Sequence, residues 1–145
     1  MGVKGVTLTE LLVVIGILVI LLSLSTIGFR HLVANYNLTD ATNQLYSDLE
    51  WARQKSLGNA HRFGIQFTPN SYTIFEDQND NNAYDTGEEL ETRNLNNITL
   101  SGYPANNRVL FTRKGTPSQS FTLTLTHNNG KTKQISVSIF KIRIQ

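Results

Sequence analysis

Three groups of side chains in this sequence have types and spacings that could do chemistry. The first is a lone carboxylate: Glu10 stands directly before residues 11–29, which carry no charge at all. A carboxylate at the face of an apolar medium is costly, and it calls for a cationic partner. The second group lies in Asp77-Gln78-Asn79-Asp80-Asn81-Asn82-Ala83-Tyr84-Asp85-Thr86-Gly87-Glu88. Counted from Asp77, oxygen-bearing side chains fall at positions 1, 3, 5, 9 and 12, which is the spacing of a calcium loop. Asp77, Asn79, Asn81, Asp85 and Glu88 would face the ion, with the Tyr84 carbonyl as a sixth donor. Asn82 stands where glycine is usual, and asparagine tolerates the left-handed backbone that position demands. The plainer alternative is a polar hairpin loop held by side-chain turns, since no helix pair flanks it. The third group is basic: Lys131, Lys133, Lys141 and Arg143. On a strand, Lys141 and Arg143 share a face and could reach a phosphate backbone, with Arg108, Arg113 and Lys114 as accessory contacts. The same alternation also suits a solvated strand face.

Long elements must position these groups. At about 1.5 Å of rise per residue, the run over 11–29 matches a hydrocarbon core of about 30 Å, so the spacing predicts a transmembrane helix. Lys4 is the only charge before Glu10, which favours a cytoplasmic N-terminus and an exported body. A cleaved secretory signal is the rival reading, with Ser23-Leu24-Ser25 as its best cleavage candidate, but the run is longer than a signal core. Beyond it, Leu38, Ala41, Leu45, Leu49 and Ala52 recur at three- and four-residue steps and extend one helix over residues 6–57, with Gly58-Asn59 as its stop. Trp51, Tyr36 and Tyr46 read as core or rim. After residue 60 the period changes to two. Strands are expected at 63–67, 72–75, 89–93, 98–100, 109–112, 121–126 and 134–144, six or seven in all, with Asn128-Asn129-Gly130 as a turn.

The 145 residues allow one domain behind the anchor, and there is no cysteine to staple it. A net charge of +2 is too small to imply nucleic-acid binding by itself, so a basic site must be local. His31, His61 and His127 are isolated, and neither a phosphate loop nor a nucleophile context occurs, which argues against an enzyme.

Gly5-Val6-Thr7-Leu8-Thr9-Glu10-Leu11-Leu12-Val13-Val14-Ile15 resembles the processing site of type IV prepilins and pseudopilins, whose pattern is Gly, usually Phe, then Thr-Leu-x-Glu and a long apolar helix. Val6 departs from the usual Phe, and Thr9 stands where the residue is often apolar. The resemblance implies cutting between Gly5 and Val6 by a prepilin peptidase and N-methylation of Val6. It also implies that Glu10 pairs with the amino terminus of a neighbouring subunit during assembly. Asp48-Leu49-Glu50-Trp51-Ala52-Arg53-Gln54-Lys55-Ser56, residues 77–89 and Val109-Leu110-Phe111-Thr112-Arg113-Lys114-Gly115 are similar to the GspH/FimT branch, the minor pseudopilins of type II secretion and minor pilins of type IV pili.

The implied fold is α+β, a transmembrane spine helix packed on an antiparallel β-sheet or β-sandwich. Its parts are a leader at 1–5, a membrane segment at 6–29, an amphipathic continuation at 30–58 and a periplasmic β-rich domain at 59–145. The implied partners are other pilins, the prepilin peptidase, the inner-membrane assembly platform and membrane lipid. The implied place is the inner membrane, then at or near a filament tip, with no cofactor beyond the calcium considered above. Some FimT-like minor pilins bind double-stranded DNA for uptake through a C-terminal Gly-Arg-x-Arg motif. Here that position reads Phe140-Lys141-Ile142-Arg143, in which Arg143 matches, Lys141 keeps charge without the guanidinium fork, and Phe140 replaces the glycine. A membrane-tethered domain that never polymerises is the other non-enzymatic reading.

Overall fold

The computed structural model describes residues 5–139 and 141–145, the side chains of residues 24–32 excepted. It divides into two units, Met1–Asn35 and Tyr36–Gln145. Helix α1 (Leu8–Ser56) contributes to both.

In the first unit the helix begins where the sequence supplies a cap. The Thr7 hydroxyl accepts the Glu10 amide at 3.3 Å, and the Thr7 carbonyl accepts the Leu11 amide at 3.1 Å. Past this cap the helix is apolar on every side. Leu8, Leu12 and Leu22 expose 80%, 66% and 68% of their surface, so no face of this stretch is covered within the unit. A helix apolar all round belongs in a large core or a membrane. Among the described residues no helix is long and apolar enough to cross a membrane. The stretch from Leu8 to Ser23 falls short of the about 20 residues a span requires. The side chains of residues 24–29, the rest of the expected span, lie outside the described part.

In the second unit the helix is amphipathic. Leu38, Leu45, Leu49 and Ala52 are buried and Ala41 is packed partly against them, as the spacing predicts. Thr42 and Ser56 are buried on the same side because each returns its hydroxyl to the helix, Thr42 to the Leu38 carbonyl at 2.6 Å and Ser56 to the Ala52 carbonyl at 2.9 Å. The helix stops at Gly58, whose φ of 79° lies in the left-handed region. The Asn59 amide closes on the Lys55 carbonyl.

Eight strands complete this unit: β1 (Arg62–Phe67), β2 (Ser71–Asp77), β3 (Glu89–Asn94), β4 (Ile98–Ser101), β5 (Arg108–Phe111), β6 (Phe121–His127), β7 (Thr132–Val137) and β8 (Ile142–Ile144). They form two antiparallel sheets, ordered β3-β2-β1-β5 and β4-β6-β7-β8. The first is the expected hairpin with Ile65 opposite Ile74, extended at both edges. Phe63, Ile65, Phe67, Tyr72 and Ile74 of the first sheet, Leu100, Leu123, Leu125, Ile135 and Ile142 of the second, and the helix stripe make one continuous core. Trp51 meets Phe63 edge to face at 5.8 Å, which seats the helix on β1. Burying side chains of this size stabilises by about 1.5–3 kcal/mol each.

The single strand expected over 134–144 is instead a hairpin, β7 and β8, with Val137 opposite Ile142. The cause is local. Ser138 donates its amide and its hydroxyl to the Lys141 carbonyl at 3.0 and 2.9 Å, and its hydroxyl accepts the Lys141 amide at 3.2 Å. One serine thereby closes a turn at the point where Ile139-Phe140 breaks the alternation of the run.

The outer face of the first sheet is also covered. Ile74 and Phe75 are consecutive, yet both are buried, at 4% and 0% exposure, so the sheet is packed on two sides. The loop over 78–88 lays the Tyr84 ring 5.3 Å from that of Phe75. Gly64 makes this possible: a Cβ there would stand 2.6 Å from the Val109 carbonyl oxygen and 2.8 Å from the Phe75 ring.

Candidate functional site

The amino-terminal site is built from a few consecutive residues and the helix they open. Gly5, Val6 and Thr7 have no regular secondary structure, and all are exposed. The bond between Gly5 and Val6 therefore lies in accessible, unhelical chain directly before a capped helix. Glu10 sits in the first helical turn, where the unpaired backbone amides favour negative charge by about 0.3–1 kcal/mol. That is far less than the cost of taking a carboxylate out of water. Glu10 is exposed, and among the described residues no cation pairs with it. Its ionic need is met by nothing within the described chain.

The loop over 77–88 brings its five expected oxygen donors together, as partners of the loop itself. Asp77, fully buried, accepts the Asn81 and Asn82 amides on its two oxygens, each at 3.0 Å. Glu88 accepts the Gln78 and Asp85 amides, also at 3.0 Å. Asp85 accepts the side-chain amides of Asn79 at 2.9 Å and Asn81 at 2.6 Å, and these two bonds hold its carboxyl below the usual carboxylate range. Asn82 has the left-handed backbone its place in the spacing demands, with φ 63°. Arg113 fastens the loop from outside, donating to the Ala60 carbonyl and to Asp80, both at 2.8 Å. Among the described residues no group of three or more His, Asp or Glu is placed to hold a metal ion.

The basic residues separate into two places. Lys131 comes after the turn closed by Gly130, φ 85°. Lys133 pairs with Leu125 and has the parity of the buried Ile135 and Val137, which directs it to the inner side of the sheet. Arg143 pairs with Ser136, and with Lys141 it flanks the buried Ile142, so both point outward. Five residues, about 17 Å of strand, separate Lys131 from Ser136. Only Lys141 and Arg143 share a surface. Arg113 is committed to the loop, and Arg108 is half-buried on β5. His61 and His127 meet no metal-ligand geometry, and the His31 side chain lies outside the described residues.

One polar cluster was not legible in the residue pattern. Asp48, 7% exposed, accepts the Tyr72 hydroxyl at 2.7 Å, Gln44 Nε2 at 3.1 Å and Arg93 Nε at 3.4 Å, and so bolts the helix to β2 and β3. Burial, the bond to Asp48 and its charge push the Tyr72 phenol well up. The available signal was that Asp48 falls four residues after Gln44 and next to Leu49 on the apolar stripe.

Comparison with known proteins bears on both units. Residues 41–140 match the family model described as type II transport protein GspH. The chain is 32% identical to the pilin-like protein PilA1 of Thermus thermophilus over 93% of each chain. Its fold is similar to that of the type IV minor pilin FimU of Pseudomonas aeruginosa, with a TM-score of 0.60 at 19% identity, covering 77% of this chain and 90% of that one. The minor pseudopilin EpsH of the Vibrio cholerae type 2 secretion system gives 0.59 at 13% identity, covering 75% and 96%. These two establish a shared fold of one helix and antiparallel sheets. Joined to the match over residues 41–140 and to a relative that aligns along nearly the whole chain, they show that this protein belongs to the GspH family of type IV pilin-like minor pilins and pseudopilins.

Proposed function

We infer that the chain is a structural, non-catalytic subunit of an envelope filament, assembled through its apolar helix at or near the filament tip. Before assembly a prepilin peptidase cuts between Gly5 and Val6 and the new amine is methylated. The helix over 6–29 then holds the protein in the inner membrane, with its β-rich domain in the periplasm. During assembly Glu10 pairs with the Val6 amine of a neighbouring subunit. The observation that carries this reading is the exposed Glu10, without a cation among the described residues, on a helix that is apolar all round and uncovered. Such a carboxylate leaves water only when a cation comes with it, and a neighbour's amine supplies one.

The test is Glu10→Ala and Glu10→Gln in cells that assemble the filament. Both variants should be cut, with intact mass showing N-methyl-Val6 at the start, and both should reach the membrane fraction. Their recovery in sheared filaments should fall at least tenfold. Undiminished recovery would sink the pairing and favour a membrane-tethered domain that never polymerises. A chain starting near Ser25 would instead indicate a secretory signal.

DNA uptake is the second reading, and the outward pair Lys141 and Arg143 favours it. Salt-sensitive binding of double-stranded DNA that is lost in Lys141→Ala/Arg143→Ala would support it. No binding at low salt would remove it.

A further inference from the structure

A cleft of about 300 Å³ opens beside the β3–β4 connection, between the helix and the end of β3. Its chemistry is that of amides. Asn37, Asp40 and Gln44 contribute from the helix, and Arg93, Asn94 and Asn96 from the strand and turn. The side chains of Asn37, Asp40, Asn94 and Asn96 have no hydrogen-bond or ion-pair partner among the described residues. Gln44 donates its side-chain amide N–H to Asp48, and its side-chain carbonyl has no partner among the described residues. The adjoining concavity continues the same composition with Asn70 and Asn128. Arg93 is held by two carboxylates, Asp48 at 3.4 Å and Glu91 at 2.9 Å, so with Asp40 the described charged groups at the cleft are net negative. Tyr36, 72% exposed, stands one helical turn before Asp40 on the same face.

We propose that this cleft is a binding site for a neutral saccharide. Each asparagine offers two donors and an acceptor in one plane, which matches adjacent sugar hydroxyls acting at once as acceptor and donor. A carboxylate takes two hydroxyls in the same way. Tyr36, outside the lining but one helical turn from Asp40, is an exposed aromatic that suits the C–H face of a pyranose ring extending from the cleft. The volume lies at the lower end of small-molecule sites and suits a sugar unit rather than a large ligand. The charge argues against anionic polymers: phosphate or uronate would meet Asp40 with no free cation beside it. The inference is independent of the filament role.

The test is an NMR titration of the full chain, in micelles of a sugar-free zwitterionic detergent, with maltotriose, chitotriose and mannotriose up to about 10 mM. The backbone amides of Asn94, Asn96 and Asn97 should shift saturably with at least one of them. Asp40→Ala and Asn94→Ala/Asn96→Ala should each weaken binding at least tenfold while the melting temperature stays within about 1 °C of wild type. These side chains are exposed and unbonded, and Asn37→Ala gives a second, helix-borne check should either variant melt early. Absence of saturable shifts with all three sugars overturns the proposal. So does equal binding by the variants, or displacement of the sugar by double-stranded DNA.

Discussion

Tyr72→Phe removes one oxygen from the centre of the second unit, and its cost can be worked from the geometry. Tyr72 is 1% exposed and Asp48 is 7% exposed, so neither group recovers a water when the bond between them is lost. A hydrogen bond to a charged group contributes about 1.5–3 kcal/mol. Asp48 retains Gln44 and Arg93, which places the expected loss near 2 kcal/mol, or about 8 °C in Tm for a unit of this size. The pH dependence makes the prediction specific. The phenol is raised above its ordinary 10.0 in the folded chain, so it stays protonated where an unfolded tyrosine ionises. Its stabilisation is complete below pH 10 and declines above it, at up to about 1.4 kcal/mol per pH unit. The gap between wild type and Tyr72→Phe, read from urea unfolding, should therefore narrow from about 2 kcal/mol at pH 8 to about 1 kcal/mol at pH 10.5. A gap that stays constant over that range would refute the buried phenol–carboxylate bond. A cost below about 0.5 kcal/mol at pH 8 would refute it as well.

Gly64→Ala should destabilise by about 3 kcal/mol, because the added methyl meets the Val109 carbonyl at 2.6 Å and neither strand can move without breaking its ladder; a urea midpoint like that of wild type would show the outer layer to be loose. Asp85 has a lowered folded pKa, so the loop should hold above the ordinary 3.8 and loosen as pH falls through the depressed value; amide exchange at residues 79–85 measures this, and Asn79→Ala/Asn81→Ala should move the onset to higher pH. A calcium ion on Asp77, Asn79, Asn81, Asp85 and Glu88 would have to displace bonds that already occupy these oxygens. Millimolar calcium is therefore expected to change Tm by less than about 1 °C, while a rise of several degrees that Asp85→Asn abolishes would show the loop re-forming around an ion.

Much of the fold was legible because it is written in local periods. The stripe of Leu38, Leu45, Leu49 and Ala52 needs only the 3.6-residue repeat, and the β1–β2 hairpin needs only alternation on either side of Pro69-Asn70. Gly58 and Asn82 are recognisable because few residues accept positive φ. The residues proposed for the amino-terminal site are contiguous: Gly5, Val6 and Glu10 are neighbours in the chain before they are neighbours in space.

Features joining distant segments had no such signature. The turn at Ser138 was marked only by Ile139-Phe140, which breaks an otherwise alternating run, and it turns Arg143 back onto Ser136. Lys131 and Lys133, close to these residues in number, end up elsewhere. Asp48 gains its partners only when Tyr72, 24 residues later, and Arg93, 45 residues later, arrive beside it. Gly64 shows no need for glycine until Val109 and Phe75 close on it, and the uncommitted asparagines line one cleft only once the end of β3 lies against the helix. Periodicity along a chain records which face of an element is buried. Which atoms meet that face depends on the packing of every other element, and no single segment carries that information.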